Sequence, residues 1–319
     1  MARLRDFGRP AGVTAALLVA AVVLAAVAML DGPEPGAPIP AARDRLVFSA
    51  MTGSASDLFV QALGGAPIPL TSDAFRDGAP AFSPDGRRIA FVSDRGGSPD
   101  IWVMNADGSE PRQLTTDPAN DVGPSWGPDG QRIAFISDRE GDRANIFVVA
   151  LESGAVSQLT MQGRALSFPA WSPDGDWIVY SAPGQPDPYD PGLTPLQLEI
   201  IPAAGGAPRV LRGGVGKNWG AAWSPDGERI AFSWTRAGSD LTDVAWLQVI
   251  NRDGSGLRRL ETGVWADFAP SWAPDGRRIA FTSTREGVPQ TYIWDLETDE
   301  IRLALGGMTA FDASWAPHR

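Results

Sequence analysis

One ten-residue unit occurs five times in this chain and limits the possible folds more than any other feature. The copies read FSPDGRRIAF, WGPDGQRIAF, WSPDGDWIVY, WSPDGERIAF and WAPDGRRIAF, and they begin at Phe82, Trp126, Trp171, Trp223 and Trp272. Their starting points are 44, 45, 52 and 49 residues apart. Repeats of about this length, built from short strands, are typical of the blades of a β-propeller.

The second copy shows which part of the unit forms each strand. Trp126 ends a short inner strand, and Pro128-Asp129-Gly130 predicts a hairpin turn. Proline presets φ, aspartate can bond the backbone two residues on, and glycine tolerates positive φ. The segments 132–137, 145–151 and 156–160 predict the second, third and fourth strands. Such short strands cannot bury an apolar face alone, so we expect the units to stack around an axis.

The two ends of the repeat region complement each other. Residues 44–49, 57–63 and 67–71 match the second, third and fourth strands, but no inner strand precedes them, whereas residues 313–317 match an inner strand with nothing after it. We therefore predict an all-β, six-bladed propeller that is closed by pairing of the C-terminal strand with the N-terminal blade. The inner-strand aromatics are expected to fill the blade interfaces and are Phe82, Trp126, Trp171, Trp223, Trp272 and Trp315.

The repeat also identifies a family resemblance. The segments PSWGPDGQRIAFISDREG and DIWVMNADGSEPRQLT resemble the WD40-like repeats of TolB-type propellers, which prolyl-oligopeptidase-type peptidases share. The resemblance covers residues 44–319 and implies an extracytoplasmic interaction propeller whose partner is an envelope protein or a peptide segment. The 43 residues before it offer no room for the additional α/β domain of TolB or for a peptidase domain.

The N-terminal 43 residues predict a membrane anchor and a linker. Residues 11–30 carry no charge and follow Arg3, Arg5 and Arg9, a pattern that favours a transmembrane helix with residues 1–10 in the cytoplasm. Residues 31–43 are rich in proline and predict an extended linker. The alternative is a signal peptide cleaved near Ala26-Val27-Ala28, which would release the protein.

Composition narrows the range of activities. The chain has 38 acidic and 27 basic residues, a net charge of −11, so it lacks the cationic footprint of a nucleic-acid-binding protein. It has no cysteine, and its only histidine is His318. We therefore predict a non-enzymatic, monomeric binding propeller without a cofactor. The alternatives are a propeller that binds or senses a glycan or a cation such as calcium and, with less support, a calcium-dependent lactonase-type enzyme.

Polar residues at one repeat position form the first candidate site. Asp77, Asp121 and Asp267 each lie five residues before the inner-strand aromatic, and Asn218 takes that position in another repeat. Around a common axis they could receive a cationic side chain or calcium at the mouth of the channel. The alternative is that each carboxylate caps its own loop or pairs with a neighbouring arginine.

Four arginines recur just beyond the second strand. They are Arg95, Arg139, Arg236 and Arg285. Because a ligand-specific residue would not need to recur in most repeats, we expect these arginines to be structural and to bridge one blade to the next.

Aromatic residues that do not follow the repeat form the second candidate site. Trp219, Trp234 and Trp265 are expected in loops on one face, near Phe268 and Phe311. Exposed aromatics on a rigid scaffold are typical of binding surfaces. The alternative is that they pack the longer loops of these repeats.

Overall fold

Every regular element in the described part of the protein is a β-strand. The computed structural model describes residues 44–141, 144–161, 167–185, 195–236, 244–260, 265–305 and 308–317. Their strands are, in chain order, β1 (Arg45–Thr52), β2 (Ala55–Ala62), β3 (Ile68–Pro69), β4 (Asp77–Phe82), β5 (Arg88–Ser93), β6 (Asp100–Asn105), β7 (Arg112–Gln113), β8 (Asp121–Trp126), β9 (Arg132–Ser137), β10 (Asn145–Ala150), β11 (Val156–Gln158), β12 (Ala170–Trp171), β13 (Trp177–Pro183), β14 (Leu196–Pro202), β15 (Arg209–Arg212), β16 (Lys217–Trp223), β17 (Arg229–Thr235), β18 (Ala245–Asn251), β19 (Arg258–Arg259), β20 (Asp267–Trp272), β21 (Arg278–Ser283), β22 (Gln290–Asp295), β23 (Ile301–Leu305) and β24 (Ala310–Trp315). The fold is therefore all-β, as predicted.

The strands pair into antiparallel units of four. Four separate sheets have the orders β24-β1-β2-β3, β4-β5-β6-β7, β11-β10-β9-β8 and β20-β21-β22-β23. A fifth sheet contains eight strands, in two halves built from β12 to β15 and from β16 to β19. A single parallel pair, Leu196 with Lys217, joins the two halves.

The C-terminal strand completes the N-terminal sheet. Strand β1 lies between β2 and β24, and its pairs with β24 include Leu46 with Trp315 and Val47 with Ser314. Two segments at opposite ends of the sequence thus share one hydrogen-bonded ladder. The predicted pairing of the two ends is confirmed.

The inner strands meet around a common centre. Each of β4, β8, β12, β16, β20 and β24 contacts the inner strand of the preceding and of the following unit, and β24 contacts β4. The main apolar clusters lie between successive units. One of them joins Leu46 and Phe48 of the first sheet to Ile293 of the last. Stacking of neighbouring units thus buries the apolar faces that single strands would leave exposed.

The inner-strand aromatics lie in these interfaces, as predicted. Their exposed fractions are all between 6% and 8%. Three of the indole N–H groups donate to a backbone carbonyl of the neighbouring inner strand. The pairs are Trp126 with Ala81 at 3.0 Å, Trp223 with Ala170 at 3.1 Å and Trp272 with Ala222 at 3.2 Å. These three rings therefore fill an interface while their polar groups stay satisfied.

The predicted turn chemistry is also present. Gly130 has a φ of 64°, in the region that favours glycine. The Asp129 Oδ1 accepts a hydrogen bond from the Gln131 N–H at 2.8 Å, two residues on. This local geometry explains why the Pro-Asp-Gly sequence recurs between inner and second strands.

The predicted transmembrane segment, residues 11–30, lies outside the described residues, as do the linker and His318. Among the residues that are described, none forms a helix of the length and apolarity that a membrane crossing requires.

Candidate functional site

Three of the predicted acidic residues form the same ion pair in three different sheets. Asp77, Asp121 and Asp267 begin their inner strands, and their side chains are fully buried. The pairs and their N···O distances are Arg95–Asp77, 2.7 Å, Arg139–Asp121, 2.7 Å, and Arg285–Asp267, 3.2 Å. The expectation that these carboxylates pair with neighbouring arginines is confirmed, and none of the three side chains is exposed to solvent.

The arginine of each pair contacts the carboxylate of its own sheet, and Arg139 shows the arrangement. The Arg139 Nε donates to the Ser137 Oγ at 2.9 Å. Its guanidinium lies over the rings of Phe135 and Phe147, 5.4 and 4.9 Å from their centroids. All these partners belong to the sheet of β8 to β11. The prediction that these arginines bridge neighbouring blades was wrong, because the nearest carboxylate lies across a strand pair of the same sheet.

A different arginine, at the start of the second strand, makes the bridge between sheets. The Arg88 Nη2 donates to the Gly130 carbonyl at 3.0 Å, and its guanidinium lies 5.2 Å from the centroid of Trp126. At the closure, Arg278 donates to both carboxylate oxygens of Asp44, at 3.0 and 2.9 Å. The arginine of the RIAF motif therefore connects successive sheets.

The sheet of β16 to β19 departs from this pattern. Asn218 takes the place of the aspartate, is 1% exposed and donates from Nδ2 to the Leu196 carbonyl at 2.7 Å. Trp234 lies where the other sheets have the serine, and Arg236 is exposed. No described residue forms an ion pair with Arg236. This sheet therefore presents aromatic and cationic groups where three others bury an ion pair.

Three carboxylates lie close together beside the first of the ion pairs. One oxygen each from Asp57, Asp73 and Asp77 lies within 4.8 Å of the others. Burial raises the pKa of both Asp57 and Asp77, against the opposing effect of their hydrogen bonds. Oxygen ligands of this kind suit a hard cation. However, the Arg95 guanidinium already contacts Asp73 at 3.2 Å and Asp77 at 2.7 Å, so it supplies much of the positive charge that such a cation would bring.

Neither Trp219 nor Trp234 lies in a loop, and that part of the sequence interpretation was wrong, because they belong to β16 and β17. Trp219 is 6% exposed and stacks on Phe268 with ring centroids 5.8 Å apart. Ala245 and Ala266 complete a small buried cluster. Phe268 and Phe311 are half-buried and likewise lie in inner strands, β20 and β24. Alternation along β16 turns Trp219 toward the next sheet, as in the packing alternative.

Three other tryptophans, Trp234, Trp246 and Trp265, lie close together with Val215 and are at least partly exposed. We call these four residues the tryptophan surface. Trp234 and Trp246 are opposite each other on β17 and β18 and stack with centroids 5.2 Å apart. Trp265 is 40% exposed, and its carbonyl accepts from the Ala245 N–H at 3.1 Å, next to Trp246. Val215 is 69% exposed, and its carbonyl accepts from the Trp234 indole at 3.3 Å.

Sequence reasoning missed Trp246 and Asp312. Trp234 and Trp246 lie opposite each other on two strands joined in a hairpin. The length of the loop between the strands hides their register in the sequence, so the pair was not recognised. Asp312 lies in β24 three residues before Trp315. Aligning the inner strands on their final aromatic shows a carboxylate there, where the other repeats have alanine, glycine or phenylalanine.

Solved structures of known proteins share this architecture. TolB from Acinetobacter baumannii aligns with a TM-score of 0.73 and 19% identity over 86% of this chain and 67% of its own. Hydrazine synthase from Kuenenia stuttgartiensis aligns with a TM-score of 0.68 and 16% identity, covering 88% and 48%. Oligogalacturonate lyase from Vibrio parahaemolyticus aligns with a TM-score of 0.53 and 18% identity, covering 82% and 74%. At these identities the likeness concerns the fold alone.

A family model supports the same assignment from the sequence. The model of the TolB beta propeller domain, PD40, matches residues 40–187 and 198–319, which is most of the chain. The match includes all the described sheets. The chain therefore belongs to the family of TolB beta propeller domains.

Proposed function

We propose that this protein is a non-enzymatic, six-bladed propeller that binds an envelope protein or a peptide segment through the tryptophan surface. The observation that carries the proposal is the half-buried stack of Trp234 on Trp246 near the exposed Trp265, in a sheet that lacks the buried ion pair. Large aromatic side chains on a rigid framework supply contact area with little loss of conformational entropy on binding. The ring of contacts among the inner strands supports the count of six blades.

The proposed location is the extracytoplasmic side of the cytoplasmic membrane. The uncharged segment 11–30 and the arginines before it support a single-pass anchor, and the linker of residues 31–43 would hold the propeller away from the bilayer. Release after signal cleavage is the alternative. Membrane fractionation of cells, with and without a carbonate wash, distinguishes an anchored protein from a released one.

The amino-acid inventory supports a binding role over catalysis. There is no cysteine, and His318 is the only histidine in the sequence. Three fully buried carboxylates already form ion pairs with arginines; they are those of Asp77, Asp121 and Asp267. A hydrolytic site would need a base and a nucleophile in mutual hydrogen-bond reach.

Site-specific photo-crosslinking in intact cells tests the proposal. A photoreactive phenylalanine analogue at position 215 should capture a discrete partner, and Trp265→Ala in the same chain should abolish that product. The matched control is position 257, because Leu257 is 43% exposed but lies in the hairpin at the other end of the same sheet. Identical products from positions 215 and 257, or a product that survives both Trp234→Ala and Trp265→Ala, would contradict the proposal.

The second candidate function is cation binding, which the proximity of Asp57, Asp73 and Asp77 favours. Calcium is the hard cation to test. Bound calcium would raise the unfolding midpoint of the wild type in a concentration-dependent manner, and Asp73→Asn would abolish the effect. Magnesium and potassium at equal ionic strength are the controls, and an equal rise with all three salts would exclude a specific site.

A further inference from the structure

The carboxylate of Asp312 occupies a special backbone position. Inner strands contain a bulge at which one residue adopts positive φ, and in β24 that residue is Asp312, with a φ of 54°. The corresponding residues of four other inner strands are Ala79, Gly123, Gly220 and Ala269, with φ values of 48°, 68°, 62° and 52°. Asp312 is thus the one charged side chain at this position among the bulges described here. A left-handed conformation costs a non-glycine residue roughly 1 kcal/mol or more.

The bulges lie where the inner strands approach each other. A Cβ placed on Gly220 would be 3.9 Å from the backbone nitrogen of Ala269, the bulge residue of the next inner strand. A Cβ on Gly123 would be 2.3 Å from the side chain of Phe168, which lies three residues before Trp171, just as Asp312 lies three residues before Trp315. The other bulges carry small, uncharged residues, and Asp312 is the group that brings a charge to this position.

Asp312 has no partner among the described residues. No hydrogen bond or ion pair involves its carboxylate, and the residue is half-buried. Burial raises its pKa to about 6. Nearby, the Ser49 Oγ is fully buried and also unpartnered, and Ser49 pairs in register with Phe311, the residue before Asp312. Unpaired buried polar groups are costly and call for a partner.

The charged groups on the strands around β24 are engaged elsewhere. These strands are β1, β4, β20, β21 and β22. Their charged residues are Arg45, which has interactions of its own, Asp77 with Arg95, Asp267 with Arg285, Arg278 with Asp44 and Asp295 with Arg277. None of these groups forms a hydrogen bond or an ion pair with Asp312 among the described residues.

We propose that the centre of the ring binds a single alkylammonium or guanidinium group on the carboxylate of Asp312. The group would come from a small organic cation or from a lysine or arginine side chain of a bound protein. A cation that enters between the inner strands would be held in a charge-assisted hydrogen bond in surroundings of low dielectric constant, where such a bond is strong. The inference is independent of the tryptophan surface.

Titration of the full-length protein with matched probes tests the inference. The cationic probes are butylammonium and Nα-acetyl-lysine methylamide, and their neutral counterparts are butanol and Nα-acetyl-norleucine methylamide. Dissociation constants measured by NMR at pH 7.5 should favour the cation at least tenfold over its counterpart. At pH 5 about a tenth of the Asp312 carboxyl would be ionised, so the cation should bind about tenfold more weakly than at pH 7.5.

Variants assign the effect to this residue. Asp312→Asn should reduce the preference for the cation to less than twofold, whereas Glu152→Gln, which removes an exposed carboxylate far from the inner strands, should leave it unchanged. If Asp312→Asn does not fold, Asp312→Ala replaces it, because alanine occupies the same bulge at Ala79 and Ala269. A preference for butylammonium as well would identify a small-cation site, and a preference for the lysine probe alone a side-chain site. Equal binding of cation and counterpart, or a preference that persists without Asp312, would overturn the inference.

Discussion

The recurring arginines offer a test in which one repeat serves as the control for another. Arg139 and Arg236 occupy the same position of their repeats, but Arg139 pairs with buried Asp121 at 2.7 Å and Arg236 is exposed. We expect Arg139→Ala to destabilise the protein strongly and Arg236→Ala to have almost no effect. The two substitutions remove the same atoms, so the difference isolates the surroundings.

The magnitude follows from the burial of the partner. Asp121 has no exposed surface, so loss of Arg139 would leave an uncompensated charge in the interior. Removing one partner of a buried pair costs about 3–5 kcal/mol. For a domain of this size that corresponds to a fall in Tm of roughly 6–10 °C. An exposed side chain without such a partner contributes within about 0.5 kcal/mol, so Arg236→Ala should stay near the wild type.

Equilibrium unfolding in urea, followed by circular dichroism, measures both effects. A third variant sharpens the test: adding Asp121→Asn to Arg139→Ala should restore part of the lost stability, because a neutral amide replaces the unpaired charge. Asn218 shows that an amide fits the equivalent position of another repeat. Equal stability losses for Arg139→Ala and Arg236→Ala, or further destabilisation in the double variant, would refute the reasoning.

Three further outcomes are expected. Gly123→Ala should cost several kcal/mol more than Gly130→Ala in urea unfolding, although φ is similar at 68° and 64°. An added Cβ would be 2.3 Å from the Phe168 ring in the first case and 3.9 Å from its nearest neighbour in the second. Phe168→Ala should reduce the difference without abolishing it, because the Cβ of residue 168, at 2.9 Å, would remain. Asp312→Asn should stabilise the protein at pH 8 by at most about 3 kcal/mol and have no effect below pH 4. Because the pKa of Asp312 is raised to about 6 in the native state, ionisation of this carboxyl destabilises that state only as the pH rises above the pKa of the unfolded chain. Equal effects at both pH values would contradict this. Deletion of residues 310–319 should abolish the cooperative unfolding transition, because β1 would lose one of its two partner strands. A transition as sharp as that of the wild type would show that the pairing of the two ends is dispensable.

The site was only partly predictable, for reasons that particular residues make clear. The pairing of Asp121 with Arg139 was foreseen as an alternative, since repetition indicates a structural role, but the direction of the bridge was not. Whether the arginine reaches its own sheet or the next depends on how the sheets stack. Trp219 and Trp234 looked equivalent in the sequence. Trp219 is buried against Phe268, whereas Trp234 is half-buried and stacks on Trp246.

The sequence by itself determined the repeat, the turns, the order of strands and the joining of the two ends, because these depend on local chemistry and on a pattern repeated many times. The glycine of each Pro-Asp-Gly turn, for example, needs no distant residue to adopt positive φ. Only the tertiary structure decided which aromatic and charged side chains are buried, paired or accessible. That outcome depends on strand register and on the stacking of neighbouring sheets, where a shift of one residue moves a side chain from one face to the other.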